Sequence, residues 1–333
     1  MSTLSPDDRL ERLANAHQLS RAVQVAARLG LGQQLTEGPR SLSELAAATG
    51  SNPVVLGKLL RFLAQLGVVQ ALDDDRFGPT PLSDRLHRVD NLAQGEEGWQ
   101  AWSALPEALA SGEPAFPKVH GASFYRYAAD HPRQAAHWRE SQGARAQRVT
   151  PPVAAVLPLE GATRIVDVGG GQGVLLAELL KRHPGCRGLL FDLPEAVVGS
   201  GEVFAAAGVQ QRAQVVAGDA FDAVPAGADL YLLCRVLSNW SDESAIAGLS
   251  ALRRALQAGA RTPSPRLVIV DALMPEGPAG RAFAGPDLHH FLLWGGGFRT
   301  LPEVRQLLSA AGLTQRDHHI TEDDAWHLLI CTA

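Results

Sequence analysis

Apolar positions between residues 10 and 35 recur at helical spacing: Leu10, Leu13 and Ala14, then Leu19, Val23, Ala26 and Leu29. That spacing lines one face of a helix and predicts one or two amphipathic helices. Ser41-Leu42-Ser43-Glu44 has the form of a capping box and opens a helix through Ala48 that ends near Gly50. Asn52-Pro53 supplies an N-cap and a first-turn proline for a helix from Val54 to Leu66, stopped by Gly67. The pattern then shortens. Val68 to Leu72, the acidic turn Asp73-Asp74-Asp75, and Arg76-Phe77 predict a two-stranded hairpin. Helices followed by a hairpin make a winged-helix unit.

Helical spacing returns from Gly95 to Thr150, now rich in aromatics: Trp99, Trp102, Phe116, Phe124, Tyr125, Tyr127 and Trp138. Most are expected in a core, and Trp138 is also a candidate wall for a flat aromatic ligand. Pro151-Pro152 is read as a domain boundary. Beyond it, β-branched runs alternate with helical ones. Strands are predicted at Ile165–Val168, Gly188–Phe191, Ala213–Ala217, Asp229–Cys234 and Leu267–Val270, with helices over 174–183, 195–207 and 243–257. This alternation predicts an α/β fold, a Rossmann-like, parallel-rich sheet covered on both faces, with ligands at the carboxyl ends of its strands. The expected organisation is a helical winged-helix domain over 1–95, a helical linker contributing to a substrate pocket over 96–150, and the α/β domain over 151–333.

Charge excludes some uses of the first domain. Net charge is −5, and residues 1–90 hold ten Lys+Arg against ten Asp+Glu. The would-be recognition helix carries only Lys58 and Arg61, and the wing tip is three aspartates. A DNA reader concentrates positive charge, so nucleic acid is not an expected partner and a winged-helix ligand-sensing regulator is disfavoured. Packing, including against a second copy of the chain, is the expected use of its apolar helices. Cys186, Cys234 and Cys331 form no metal or redox spacing. No apolar run reaches membrane-spanning length and the N-terminus lacks a signal-peptide pattern. A soluble, cytoplasmic protein with no metal and no membrane partner is expected.

The candidate chemistry lies at the strand ends. The first strand runs through Asp167 into Gly169-Gly170-Gly171-Gln172-Gly173, where residues without Cβ let a ligand approach the backbone. The spacing is G-x-G-x-G, not the G-x-G-x-x-G of dinucleotide folds. Asp192-Leu193 closes the second strand, and a carboxylate there can accept both hydroxyls of a ribose. Asp219-Ala220-Phe221 follows the third strand with an acceptor and a ring suited to adenine, and Arg235 follows the fourth as a partner for a carboxylate. Each alone suits a helix cap or a core as well. In this order Asp167, Gly169, Gly171, Asp192, Leu193, Asp219, Ala220, Phe221 and Arg235 describe a site for S-adenosyl-L-methionine, released as S-adenosyl-L-homocysteine, and no second nucleotide-binding half follows for NAD.

VDVGGGQG, FDLPEAV, GDAF and LCRVLSNWSDE resemble the successive motifs of the plant-type (caffeate and flavonoid) small-molecule O-methyltransferases and their bacterial antibiotic-pathway relatives, the phenazine- and polyketide-tailoring branch. TPLSDRL (80–86), SGEPAF, FYRYAADHP and GGGFRTLPEV (295–304) extend the resemblance over nearly the whole chain. It implies a homodimer formed through the first domain, a small aromatic substrate, and methylation of a phenazine, quinone or polyketide phenol. The pocket it implies includes Gln142, Asn239, Trp240, Trp294 and Phe298 beside Trp138.

Two positions depart from that family. Where it carries His-Asp-Trp, with the histidine as base, this chain has Ser238-Asn239-Trp240. Where it often carries a glutamate that steadies the base, this chain has Phe298. A serine needs another group to activate it. Deprotonating a phenol of pKa near 10 at pH 7 costs about 4 kcal/mol. A general base typically contributes about 10²–10⁴-fold, and positioning up to roughly 7–11 kcal/mol. Methyl transfer therefore survives on proximity, with Ser238 at the base position and His289 or His290 as a relocated base. The alternative is a relative that binds the cofactor without methylating, of the hydroxylase or decarboxylase type.

Overall fold

The computed structural model describes residues 5–258 and 264–333. Two compact units divide the chain: Met1–Gln100 with His131–Trp138, and Ala101–Asp130 with Arg139–Ala333.

In the first unit the capping signals act as read. The Ser41 side chain accepts from the Glu44 N–H at 3.3 Å while the Glu44 carboxylate accepts from the Ser41 N–H at 2.7 Å, which opens the helix Leu42–Thr49. Asn52 caps the helix Pro53–Gln65 through Val54 and Val55. Such a cap typically contributes about 1 kcal/mol. The hairpin is shorter than its apolar run: β2 (Gln70–Ala71) pairs with β3 (Arg76–Gly78), and β3 takes a further partner in β1 (Arg40–Ser41). Asp74 and Asp75 turn the corner with φ of 57° and 53°, which Asp tolerates better than most residues. A core around Leu31, Leu35, Leu45, Leu60 and Leu63 closes this unit. The helix Pro6–Ala14 buries nothing, and Leu10 and Leu13 are 68% and 64% exposed.

The second unit is built on a seven-stranded sheet. β4 (Arg164–Val168), β5 (Arg187–Asp192), β6 (Ala213–Ala217), β7 (Leu230–Cys234) and β8 (Arg266–Asp271) run parallel, and β9 (Thr314–Ile320) and β10 (His327–Thr332) complete it, in the order β6-β5-β4-β7-β8-β10-β9. β10 is antiparallel to both of its neighbours. Alternate residues supply the two faces. Val166, Val168, Tyr231, Leu233, Leu267 and Ile269 pack beneath the helices Asp242–Ala258 and Leu301–Ala310. Ile165, Leu230, Leu232, Val268 and Val270 pack with Leu175, Leu176, Leu179 and Leu180 of the helix Val174–Arg182. A sheet covered on both faces calls for apolar residues on both, hence the near-continuous runs of β7 and β8.

Two expectations change. The helix expected over 195–207 begins only at Ser200, after Gly199 at φ 86°; Pro194 and the turns beyond it occupy the start. Pro151-Pro152 ends nothing: the helix Pro132–Val156 runs through both. A proline inside a helix costs about 3 kcal/mol. Here Val149, Val153 and Ala154 on the same stretch are buried in the core, and that packing holds the helix together.

Candidate active site

The parallel strands bring the carboxyl ends of β4, β5, β6, β7 and β8 to one rim. At the end of β4 the chain turns through Gly169, Gly171 and Gly173 at φ of 70°, 59° and 78°. A Cβ on Gly169 would lie 2.5 Å from Val236 Cγ2, and one on Gly173 2.6 Å from the Phe204 ring. Gly171 differs, since nothing lies within 4 Å of where its Cβ would be. The loop is packed at both ends and open in the middle.

Asp192 stabilises that shape. Its carboxylate accepts the Gly171 N–H and the Leu193 N–H, both at 2.7 Å, one on each oxygen. Burial raises its pKa to about 6, against the pull of those two hydrogen bonds. Behind it, Asp167 is 1% exposed and neither of its oxygens has a hydrogen-bond partner among the described residues. Burial first, then the charge of Asp192, raises Asp167 to about 7. After β6, Asp219 accepts the Phe221 N–H at 2.9 Å, which leaves Phe221 exposed with its ring 5.0 Å from that of Trp240. Ala220 lies between them, half-buried. After β7, Arg235 has φ 58° and donates through Nη2 to Gln142 Oε1 at 2.9 Å. Burial lowers its pKa.

The stretch after Arg235 is fixed by two groups. Ser238 is buried; its N–H and its hydroxyl donate to the two oxygens of Asp271 at 3.0 and 3.2 Å. Asp271 ends β8, is itself buried, and has its pKa raised by that burial. Arg299 donates to the carbonyls of Leu237 and Trp240 at 3.0 and 2.6 Å and to Asp242 at 2.9 Å. Gly296 lies so close that a Cβ would overlap the Ser238 carbonyl. Asn239 donates to the Tyr125 hydroxyl at 3.0 Å.

The two histidines sit on the helix Ala284–Trp294 and differ in what their ring nitrogens do. Trp102 Nε1, which can only donate, reaches His289 Nδ1 at 2.9 Å, so that lone pair is taken. His290 Nδ1 lies 3.0 Å from the Pro286 carbonyl. A carbonyl only accepts, so Nδ1 carries the proton and Nε2 keeps its lone pair. The His290 ring is 4.8 Å from that of Trp294 and 4.6 Å from that of Phe298. Burial lowers both imidazoles, His290 to about 4. Asp287 on the same helix receives the Phe298 N–H at 2.7 Å and so places that ring.

Of the pocket residues expected from the sequence, Gln142, Asn239, Trp240, Trp294 and Phe298 fall within the second unit, as described. Trp138 counts with the first. Tyr125 and Asp271 escaped notice: the first was one aromatic among many, the second the last residue of a strand. A carboxylate ending an apolar strand was the available signal for Asp271, as it was for Asp192.

A mostly parallel sheet of seven strands with an open glycine loop, an acid after the next strand and a preceding helical winged unit is the architecture of S-adenosylmethionine-dependent methyltransferases. The comparison with known families narrows this. Residues 11–88 match an O-methyltransferase dimerisation domain and residues 102–314 an O-methyltransferase domain; the chain belongs to that O-methyltransferase family and is an S-adenosylmethionine-dependent enzyme of it. It is 33% identical to the phenazine O-methyltransferase PhzM of Lysobacter antibioticus, over 91% of this chain and 89% of that one. It is 34% identical to the mitomycin biosynthesis 6-O-methyltransferase of Streptomyces lavendulae, over 88% and 85%. The crystal structure of NcsB1, an O-methyltransferase from neocarzinostatin biosynthesis in complex with S-adenosylmethionine and 2-hydroxy-5-methyl naphthoic acid, superposes with a TM-score of 0.81 at 29% identity, covering 95% of this chain and 96% of that one. Among the described residues no cluster of three or more side chains is suited to a metal, and no helix is long and apolar enough to cross a membrane.

Proposed function

We propose that this enzyme methylates a hydroxyl of a small aromatic secondary metabolite, with His290 as the proton acceptor and Ser238 as an anchor. The free Nε2 of His290 carries the reading. His289 has its Nδ1 occupied by Trp102, and the Ser238 hydroxyl is spent on Asp271. The roles named for the two relatives, phenazine O-methylation and 6-O-methylation in mitomycin biosynthesis, suit the aromatic lining that Trp294 and Phe298 give to His290.

The residues present fit S-adenosylmethionine. The open middle of the loop at Gly171 leaves room beside Asp192, whose oxygens each hold one backbone N–H and keep lone pairs for ribose hydroxyls. Phe221 offers an exposed face to the adenine, Asp219 an acceptor to its amine, and Arg235 a cation to the amino-acid carboxylate. Bound there, the cofactor supplies an electrophilic methyl carbon on a sulfonium.

The protein's own part is orientation and a modest base. Transferring a proton outright from a phenol of pKa about 10 to an imidazole near 4 would be uphill by roughly 8 kcal/mol, at about 1.36 per unit. His290 therefore takes the proton as the new carbon–oxygen bond forms, not before. Most of the rate then comes from holding the hydroxyl in line, for which effective molarity supplies up to roughly 7–11 kcal/mol. Acidified hydroxyls, such as those of quinones and aza-aromatics, are the favoured acceptors.

The test is single-turnover methyl transfer from labelled cofactor to a series of phenols of falling pKa. His290→Ala should lose about 100-fold on ordinary phenols, the low end of general-base effects, and progressively less as the acceptor becomes more acidic. Equal loss along the whole series would remove His290 as the proton acceptor. Cofactor turnover with no methylated product from any phenol would instead favour the non-methylating alternative.

A further inference from the structure

The last two strands bring a pair of imidazoles together outside the catalytic rim. β9 ends the sheet, with β10 as its neighbour. Their register sets His318 opposite Leu329 and His327 opposite Ile320. Residues two apart along a strand share a face, so the two histidines are diagonal neighbours on one face, within reach of each other's side chains. Leu329 puts that face on the side of the helices Asp242–Ala258 and Leu301–Ala310. His319, opposite Leu328, lies on the other face, 3.1 Å from the Asp317 carboxylate.

The pair is bonded ring to ring. Both imidazoles are half-buried, and His318 Nε2 lies 2.9 Å from His327 Nδ1. The ring centroids are 5.1 Å apart and the planes 24° from parallel, so the rings meet edge to edge with the two nitrogens nearly in line. Such a bond needs one N–H and one lone pair. It forms when both rings are neutral, and it is stronger when one of them is an imidazolium. With two imidazolium rings both nitrogens are donors. The lone pair is then gone, and two positive charges face each other at hydrogen-bond distance.

The surroundings do not offset that second charge. Arg305, on the helix Leu301–Ala310, lines the same groove as His318 and donates to Gln315 at 2.9 Å. Asp317 accepts the His318 N–H and stands beside His319. Asp324, the acid nearest in charge to His327, is exposed to solvent. Burial first, then Arg305 for His318 and the His318 ring for His327, holds both imidazoles below their ordinary pKa.

We propose that the His318–His327 bond is an acid-sensitive latch on the outer strand: it holds β9 to β10 while the pair carries at most one excess proton, and it opens when both rings are protonated. Once the strand is open its histidines titrate near 6.5, whereas the closed pair takes its second proton only at lower pH. The open strand binds more protons, so the stability of this edge is full above about 6.5 and falls as pH drops below it. Opening is confined to β9, because β10 keeps its ladder to β8 from His327 to Cys331.

Hydrogen exchange on the full chain, read by mass spectrometry with each rate divided by its intrinsic value at that pH, tests the latch. Protection of residues 314–320 should fall at least about 10-fold between about pH 7.5 and about pH 5, while protection of β4 changes less than about twofold. His318→Gln and His327→Gln, which keep a polar side chain without a titrating ring, should each abolish the step. His319→Gln, on the other face, should leave it as in the wild type. No step in the wild type, a step that survives in either His318→Gln or His327→Gln, or a step lost equally in His319→Gln would overturn the proposal. So would a parallel loss of protection in β4, which is global acid unfolding. Native protection of β4 at about pH 7.5 shows that a variant is folded. Should a glutamine variant fail that check, the ring resonances of the wild-type pair decide by NMR: two separate macroscopic steps support the latch, and independent titration of both rings near 6.5 overturns it.

Discussion

The two ends of the catalytic rim are built differently. At the cofactor end, the two carboxylates after β5 and β6 are fixed by backbone N–H groups: Asp192 by Gly171 and Leu193, Asp219 by Phe221. At the acceptor end, three groups are held by other side chains from farther along the chain. Trp102 reaches His289 across 187 positions, Asn239 reaches Tyr125 across 114, and Ser238 reaches Asp271 across 33. Backbone partners make the first end uniform for one ligand. Long-range partners make the second end adjustable, since any of them can change without remaking a strand.

The sharpest way to test this contrast is at the cofactor end. Gly169→Ala forces a Cβ into Val236 at a φ of 70°, a conformation that costs a side chain roughly 1–2 kcal/mol before the clash is counted. Cofactor affinity measured by calorimetry should fall more than about 100-fold. Asp192→Ala removes the acceptor for two backbone N–H groups and for ribose, and a loss of about 10–100-fold is expected, at about 1.5–3 kcal/mol for hydrogen bonds to a charged group. At the acceptor end, neither His290→Ala nor His289→Ala should change cofactor affinity by more than about twofold. If either does, the two ends are not separable.

A smaller effect distinguishes anchor from base. Ser238→Ala loses one hydrogen bond, about 0.5–1.5 kcal/mol of stability, and kcat should stay within about threefold. Asp271→Ala leaves the buried Ser238 N–H without its partner and should lower the denaturation midpoint clearly more, since an orphaned buried group costs about 1–3 kcal/mol. A collapse of kcat in Ser238→Ala with stability intact would make the serine hydroxyl part of the chemistry. The subtlest test is the pH profile. An ordinary imidazole titrates near 6.5, whereas burial depresses His290 to about 4. It is neutral, and its Nε2 available, everywhere above that value. Activity on an acceptor whose hydroxyl stays protonated over this range should therefore hold as pH falls through about 6.5 and decline only toward 4. An acid limb centred near 6.5 would exclude His290.

How much of this was legible follows the same division. VDVGGG, Asp192, Asp219 and Arg235 could be read in order because a parallel sheet sends successive strand ends to one place. The loss of a histidine at Ser238 was visible too. What replaces it was not, because the choice between His289 and His290 turns on two partners, Trp102 and the Pro286 carbonyl. One lies far along the chain and the other is a backbone atom, and no spacing rule reports either. The unbroken helix through Pro151-Pro152 was missed for a related reason: local propensity was overruled by burial of Val149 and Val153.

Arg299 spans the carbonyls of Leu237 and Trp240 while Gly296 abuts Ser238. For protein engineering, this stapled backbone is a fixed chassis. Exchanging the side chains at positions 294 and 298 should retune acceptor scope without retuning the loops that carry them. Replacing Arg299 or Gly296 should damage every acceptor alike. A library aimed at new substrates therefore belongs on the rings, and its invariant positions are the arginine and the glycine behind them.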